Sequence, residues 1–154
     1  MIRENLLYLN KDIRDRETVI TYIADMADTV GLLSDKNLFL KSVREREHIL
    51  PTSVGFKVAI PHGRSSSVRE PFVSFMKTKH EFIWDTRNNN EVDLIFLIAV
   101  PEKNENNLHL RFLSEISKKL MDSSFRERLR NAENEHEVFV MLHEINEKVM
   151  EKNT

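Results

Sequence analysis

The chain has 154 residues, a size typical of one domain that buries about two-thirds of the surface its unfolded form exposes. Its 23 basic and 25 acidic residues leave a net charge of −2, which gives no electrostatic basis for binding nucleic acid or an anionic membrane. The absence of cysteine excludes disulfides, thiolate metal sites and a cysteine nucleophile. The apolar run from Leu94 to Val100 is far shorter than a membrane helix, and the amino terminus lacks a signal-peptide core, so we expect a soluble cytoplasmic domain.

Strand and helix signals alternate in the amino-terminal half. Residues 5–9 predict a short first strand, and apolar residues at helical spacing predict a helix over residues 16–30. Ser34 is placed to act as the N-cap of a second helix that runs to about Glu47. A buried strand is then predicted to run into His62.

Two further strands are predicted in the middle of the chain, near residues 71–77 and over residues 92–100. Residues 94–100 have no polar alternation, which predicts burial on both faces of the sheet and therefore helices on both sides. Residues 79–91 between these strands are typical of an antiparallel connection. The pattern favours a mixed sheet over a purely parallel one.

The last third of the chain is predicted to be helical, with helices over residues 108–121 and 125–130 and a last helix to about Met150. Asn134 and Glu137 have the spacing of a capping box before that last helix. We therefore predict one domain over residues 1–154, an α/β sandwich in which helices cover both faces of a mixed sheet of about five strands.

His62 follows a short apolar run within the segment Gly55 to Ser65. Pro61 is expected to stop the strand because it lacks a backbone donor, and Gly63 to permit a backbone angle that other residues resist. These neighbours would hold His62 at a rigid strand end. A nucleophile must be held rigidly in position, because a displacement of about 1 Å can lower the reaction rate ~100-fold. The alternative on these residues alone is a surface histidine in an ordinary turn.

His109 is the second candidate. It lies four residues before Leu113 and seven before Ile116, so it falls on the inward stripe of its helix, in the first turn. The unpaired N–H groups and the positive end of the helix dipole favour an anion there. If His62 and His109 lie at the same edge of the sheet, two imidazoles meet at a helix N-terminus and can hold a phosphoryl group. The alternative is a boundary histidine satisfied by its neighbours.

The sequence resembles the fructose/mannitol-type enzyme IIA domain of the bacterial sugar phosphotransferase system along essentially its whole length. The residues that carry the resemblance are Arg46-Glu47, Thr52, Gly55, Val58 to Gly63, Leu94 to Pro101, His109-Leu110 and Leu113. A continuation through Arg64, Ser65, Val68 and Pro71 is more similar to the fructose and nitrogen-regulatory branch than to the mannitol branch.

The chain departs from the family in the loop before the strand. Ser53 and Lys57 stand where the family commonly has glycine, and we expect Lys57 to add a cation close to the site. Glu47 is expected to end its helix rather than to orient Arg46.

The resemblance implies that His62 accepts a phosphoryl group from the phosphocarrier protein HPr and passes it to an enzyme IIB component. The pathway would serve uptake of fructose-like sugars through a membrane IIC permease, with which the chain associates indirectly. His109 would donate to the phosphoryl oxygens, Arg46 would offset their charge, and Thr52 or the amides near it would complete the cradle. Arg64 would touch the phosphate or a partner. No metal, cofactor or nucleic acid is implied.

Three other functions stay open. A nitrogen-regulatory protein would use phosphorylation of His62 as a signal to protein partners, without sugar transport. A metal-dependent hydrolase built on His62, His109 and His48 would need another ligand, and no His-x-x-x-His spacing is present. A binding module without phosphoryl transfer predicts that His62→Ala leaves function intact.

Overall fold

A six-stranded mixed sheet forms the centre of the protein in the computed structural model, which describes residues 1–103 and 107–151. Its strands are β1 (Ile2–Lys11), β2 (Ser53–Gly55), β3 (Val58–Ala59), β4 (His62–Ser65), β5 (Phe72–Ile83) and β6 (Glu91–Pro101). The helices are α1 (Arg16–Thr29), α2 (Lys36–Ile49), α3 (Leu108–Leu120), α4 (Ser123–Asn131) and α5 (Glu135–Glu151). The predicted α/β sandwich with a mixed sheet is confirmed, with one strand more than expected.

The strand order is β1-β5-β6-β3-β2, and β4 also pairs with β6. The hairpin of β5 and β6 is antiparallel, as predicted for the connection between them, whereas β1 lies parallel to β5. Strands β3 and β4 both lie parallel to β6, on its other side. Strand β6 therefore lies at the centre of the sheet. The strands on the side of β6 away from β5, which are β2, β3 and β4, follow α1 and α2 in the chain.

Both faces of β6 are buried, as its unbroken apolar run predicts. Alternate residues point to opposite sides of a strand. The side chains of one set pack with α3, α4 and α5; they are Leu94, Phe96, Ile98 and Val100. Those of the other set pack with α1 and α2; they are Ile95, Leu97 and Ala99. The helices on the two faces of the sheet therefore come from different parts of the chain, and the site is built where the two groups meet one end of β6.

The strand is interrupted at Pro61 as predicted, but its pairing with β6 resumes beyond the interruption. After a break at Ile60 and Pro61 the chain pairs with β6 again, with His62 opposite Ile98. The carbonyl of Pro61 accepts a hydrogen bond from the Ile98 amide at 3.0 Å. The pairing with β6 uses the proline carbonyl here and does not require the backbone N–H that proline lacks. His62 is thus fixed within the sheet, at the beginning of β4.

Gly63 is required for close packing rather than for an unusual backbone angle, since its φ does not lie in the left-handed region. A Cβ atom at this position would lie 2.5 Å from Oγ of Ser42 and 2.9 Å from Cγ2 of Val43. Strand β4 therefore lies against α2 at a distance that only glycine permits.

The helix ends correct one prediction and confirm another. Asp35, not Ser34, caps α2, and its side chain accepts from the Leu38 amide at 3.1 Å. The Ser34 amide donates instead to the carbonyl of Ser67. The carboxamide of Asn134 accepts from the Glu137 amide at 3.0 Å, as its spacing predicted. Among the described residues, no helix combines the length and apolarity that crossing a membrane requires.

Candidate functional site

The His62 ring is oriented by a backbone carbonyl. Its Nδ1 atom lies 2.9 Å from the carbonyl oxygen of Ile60. A carbonyl only accepts, so Nδ1 carries the proton and Nε2 keeps its lone pair. Partial burial lowers the pKa of His62 below its ordinary value of 6.5; the charge of Arg46 acts in the same direction, and the Ile60 carbonyl opposes them. At neutral pH His62 is therefore a neutral imidazole whose Nε2 atom keeps a free lone pair.

His109 lies beside His62, as the sequence predicts. The two ring centroids are 6.5 Å apart and the ring planes differ by 30°. His109 is in the first turn of α3, where helical amide groups lack partners within the helix. Burial lowers the pKa of His109, and the neighbouring His62 and Arg64 lower it further. Two neutral imidazoles thus meet at the amino end of a helix.

Both rings line one cavity of about 280 Å³ between α2, β4 and the first turn of α3. Its lining residues are Ser42, Glu45, Arg46, Ile49, His62, Gly63, Arg64 and His109. Two guanidinium groups and two imidazoles face a single carboxylate in this set, so the cavity favours an anionic ligand.

The guanidinium of Arg46 is held at the cavity wall by the end of its own helix. Its Nη1 donates to the carbonyl of Leu50 at 2.7 Å, an interaction that uses one of the five guanidinium N–H groups. Arg64, in β4, is fixed in a similar way, since its Nε donates to the carbonyl of Glu102 at 2.7 Å. Among the described residues, both cations are thereby positioned by backbone carbonyls.

Thr52 is not among the residues that line the cavity. Its amide donates to Oε2 of Glu47 at 3.1 Å, and its hydroxyl donates to Oε1 of the same carboxylate. A contact between Thr52 and a phosphoryl group remains a prediction, and the geometry gives both Thr52 donors another acceptor. The backbone of Thr52 is nevertheless close to the nucleophile, because its carbonyl accepts from the Ile60 amide at 3.0 Å.

Glu47 does more than end a helix. Its side chain is only 2% exposed, and it accepts from the indole N–H of Trp84 at 3.1 Å in addition to Thr52. The sequence carries a signal for this burial, since Glu47 lies four residues after the inward-facing Val43 and so falls on the buried stripe of α2.

The expectation that Lys57 lies close to the site is wrong. Lys57 is in the turn between β2 and β3, where its Nζ pairs with Glu81 at 2.5 Å and its carbonyl accepts from the Asp93 amide. His62 is opposite Ile98, about 16 Å further along the strands by the usual rise per residue. Lys57 also has a left-handed backbone, with φ at 63°, which explains why glycine suits this position.

The geometry does not support the metal-dependent hydrolase. His48 lines a different cavity, with Arg16, Arg44 and Arg87. Within residues 1–103 and 107–151, no three or more histidine, aspartate or glutamate side chains are grouped so that they could hold a metal ion.

Fold and site together define a class of protein: an α/β domain that presents a neutral histidine in a cation-lined cavity. The sequence profile described as "Phosphoenolpyruvate-dependent sugar phosphotransferase system, EIIA 2" matches residues 1–145, and the chain belongs to this family. Components of this kind are phosphotransferases that transfer phosphoryl groups through histidine.

Curated relatives include whole proteins and parts of larger ones. The chain is 32% identical over 140 residues to the fructose-specific EIIA component of Haloferax volcanii, covering 91% of this chain and 90% of the relative. It is 28% identical over 144 residues to the fructose-specific EIIABC component of Bacillus subtilis, covering 94% of this chain but only 22% of that protein's length.

Solved structures support the same fold. The crystal structure of nitrogen regulatory protein IIA-Ntr from Neisseria meningitidis matches with a TM-score of 0.81 and 26% identity, over 92% of this chain and 95% of that one. The complex of enzyme IIAMTL and phosphorylated enzyme IIBMTL from Escherichia coli matches with a TM-score of 0.77 at 20% identity, over 93% and 99% of the two chains.

Proposed function

We propose that the chain is a phosphoryl carrier that accepts a phosphoryl group from phospho-HPr on His62 and passes it to an enzyme IIB component. The observation that carries the proposal is the Nδ1 contact with Ile60, which reserves Nε2 for attack inside the cavity that His109 and Arg46 share. The 32% identity to a fructose-specific EIIA component favours a role in uptake of fructose-like sugars.

In the transfer, one bond to phosphorus would form as another breaks. The Nε2 lone pair of His62 attacks phosphorus while the bond from phosphorus to the donor breaks, and the proton stays on Nδ1, hydrogen-bonded to the Ile60 carbonyl. The transition state of phosphoryl transfer is loose, so the protein mainly positions groups and offsets charge. Arg46 would supply a planar fork to the phosphoryl oxygens and His109 a further donor. Thr52 would contribute through its backbone carbonyl, which accepts from the Ile60 amide, in addition to any direct contact with the phosphoryl group.

Exposed apolar side chains at the rim of the cavity suit successive docking of two carrier proteins. Ile49 is 76% exposed although it lines the cavity, and Leu50 beside it is 63% exposed. Exposed apolar patches with polar surroundings mark protein interaction sites. Donor and acceptor would use the same rim, because each must reach Nε2 of His62. The chain would work in the cytoplasm and reach the membrane IIC permease only through the IIB component.

The test uses purified chain mixed with enzyme I, HPr and phosphoenolpyruvate. We expect one acid-labile phosphate, located on His62 by mass spectrometry at neutral pH, and none on His62→Ala. His143→Ala, a change on the surface of α5, should be labelled like the wild type. Absence of label on wild-type protein, or full labelling of His62→Ala, rejects the carrier function.

A second candidate function is nitrogen-type regulation, favoured by the TM-score of 0.81 to protein IIA-Ntr. Here the phosphorylation of His62 would control protein partners and no sugar would be transported. The two functions differ in one assay. With membranes that contain the IIB and IIC components for fructose, a transport carrier supports phosphorylation of fructose, and a regulator accepts phosphate without passing it on.

A further inference from the structure

Glu47 is a buried carboxylate next in sequence to Arg46, which lines the cavity. Three donors converge on it: the Thr52 hydroxyl, the Thr52 amide and the Trp84 indole. The guanidinium of Arg16 also lies 3.9 Å from its Oε2 atom. A buried charge without such partners is strongly unfavourable. The carboxylate therefore fixes the position of everything that donates to it, and Thr52 most of all.

From Thr52 a series of hydrogen bonds leads to the nucleophile. The Thr52 carbonyl accepts from the Ile60 amide at 3.0 Å, and the Ile60 carbonyl accepts the Nδ1 proton of His62 at 2.9 Å. The first bond joins Ile60 to the separate segment that contains Thr52 and the second joins neighbouring residues, so the position of the Ile60 peptide depends on where Thr52 is held. The Glu47 carboxylate and the His62 imidazole are thereby connected through the backbone of two residues.

The connection between β5 and β6 holds the same helix end from the other side. Arg87 donates through Nη1 to the His48 carbonyl at 2.7 Å and through Nη2 to the Glu47 carbonyl at 2.5 Å. Asp85 orients Arg87 by accepting from its Nε at 3.0 Å, and it also accepts from Arg16. The last carbonyls of a helix lack partners within the helix and attract cations, so Arg87 fixes the end of α2.

We propose that Glu47 is a positioning residue for phosphoryl transfer. By holding Thr52, it places the Ile60 carbonyl where that carbonyl accepts a hydrogen bond from Nδ1–H of His62, and it thereby keeps Nε2 as the nucleophilic nitrogen. This inference rests on the proposed function. It also gives Thr52 a role that its absence from the cavity wall would otherwise leave unexplained.

Glu47→Gln is the discriminating variant because it preserves size and shape. The carboxylate accepts on both oxygens, whereas glutamine replaces one acceptor by an NH₂ donor. If the NH₂ group replaces Oε2 it faces two N–H donors, the Thr52 amide and the Trp84 indole; if it replaces Oε1, the Thr52 hydroxyl must turn from donor to acceptor, and in both cases the charge-assisted hold on Thr52 is weakened. Thr52 then shifts, and the Ile60 carbonyl shifts with it. Glu17→Gln is the matched control, since Glu17 is an exposed glutamate on α1 that pairs with Arg44.

The experiment measures the tautomer of His62 by ¹H–¹⁵N NMR of the imidazole, together with the rate of phosphoryl transfer from phospho-HPr. We expect Glu47→Gln to lower the Nδ1–H fraction of His62 and to slow transfer by about 10- to 100-fold while the amide spectrum stays that of a folded protein. Glu17→Gln should match the wild type in both measurements.

A folded Glu47→Gln protein with an unchanged His62 tautomer and an unchanged transfer rate would overturn the inference. If Glu47→Gln does not fold, Thr52→Val decides, because it removes only the hydroxyl donor; a smaller change in the same direction supports the inference, and no change overturns it. Failure of the proposed function is separate, since then wild-type protein takes up no phosphate while the NMR measurement still reports the tautomer.

Discussion

The ring centroids of His62 and His109 lie 6.5 Å apart although one residue is in β4 and the other in α3. No short-range feature of the sequence between them brings the two rings together. It follows from the parallel pairing of β4 with β6, which brings His62 to the same end of β6 from which the chain continues to α3. A single anionic group in the cavity can therefore contact both imidazoles.

His109→Ala should slow phosphoryl exchange with HPr by about 100-fold, the usual effect of removing one donor that stabilises developing charge. The fold should persist, because the ring is only partly buried. Quench-flow measurement of labelling tests this expectation, with His136→Ala on the surface of α5 as the control. Equal rates for His109→Ala and wild type would remove His109 from the site.

Arg46→Lys should reduce the rate of transfer by at least ~10-fold, since lysine keeps the charge but presents a point donor in place of a planar fork. Arg44→Lys is the matched control two residues earlier on α2, where the guanidinium pairs with Glu17. The same labelling assay compares the two variants. If both variants transfer at the same rate, the fork geometry of Arg46 has no part in catalysis.

The rate of phosphoryl acceptance should rise with pH and reach half its maximum below pH 6.5, because burial lowers the pKa of His62 and the neutral ring is the nucleophile. The same shift affects stability. Between the lowered pKa and 6.5 the unfolded chain binds more protons than the folded one, so the free energy of unfolding falls as pH falls through that window. NMR titration of His62 provides the direct measurement, and a midpoint at or above 6.5 contradicts the expectation.

Gly63→Ala should destabilise the protein by about 1–3 kcal/mol, the usual cost of overpacking a close contact. The added Cβ would lie 2.5 Å from Oγ of Ser42. Urea unfolding measures the effect, and the double variant with Ser42→Gly should recover part of the lost stability because the two sites are in contact. Independent, additive effects of the two changes would show that the contact is not the cause.

Local patterns predicted most of the fold, because their causes are local. The apolar run of β6 shows that both faces are covered, and helical spacing locates each long helix to within a few residues. The renewed pairing after Pro61 could not be predicted in this way, since it depends on Ile98 in a strand that comes much later in the chain. Ser34 and Asp35 offer the same capping chemistry, and a bond to Ser67 decides between them.

The residues of the site divide in the same way, into those that the local sequence predicts and those that it does not. His62 and His109 can be found from their neighbours and from the family they resemble, because each lies at a junction of secondary structure. Lys57 was expected near them because distance in sequence suggests nearness in space. The strand instead carries Lys57 to the far end of the sheet, where it pairs with Glu81. The helical spacing from Val43 indicates that Glu47 is buried, but its partners Thr52 and Trp84 come from two other segments, which no local pattern identifies.

The side chains inside the cavity and those at its rim differ in how firmly they are held in position. His62 and Arg46 are fixed by backbone carbonyls, whereas Ile49 and Leu50 extend into solvent. Substitutions at the two apolar positions can therefore change which proteins dock without disturbing the chemistry beneath. If donor and acceptor dock on this rim as proposed, exchange of the two side chains would alter partner choice and leave the chemistry at His62 unchanged.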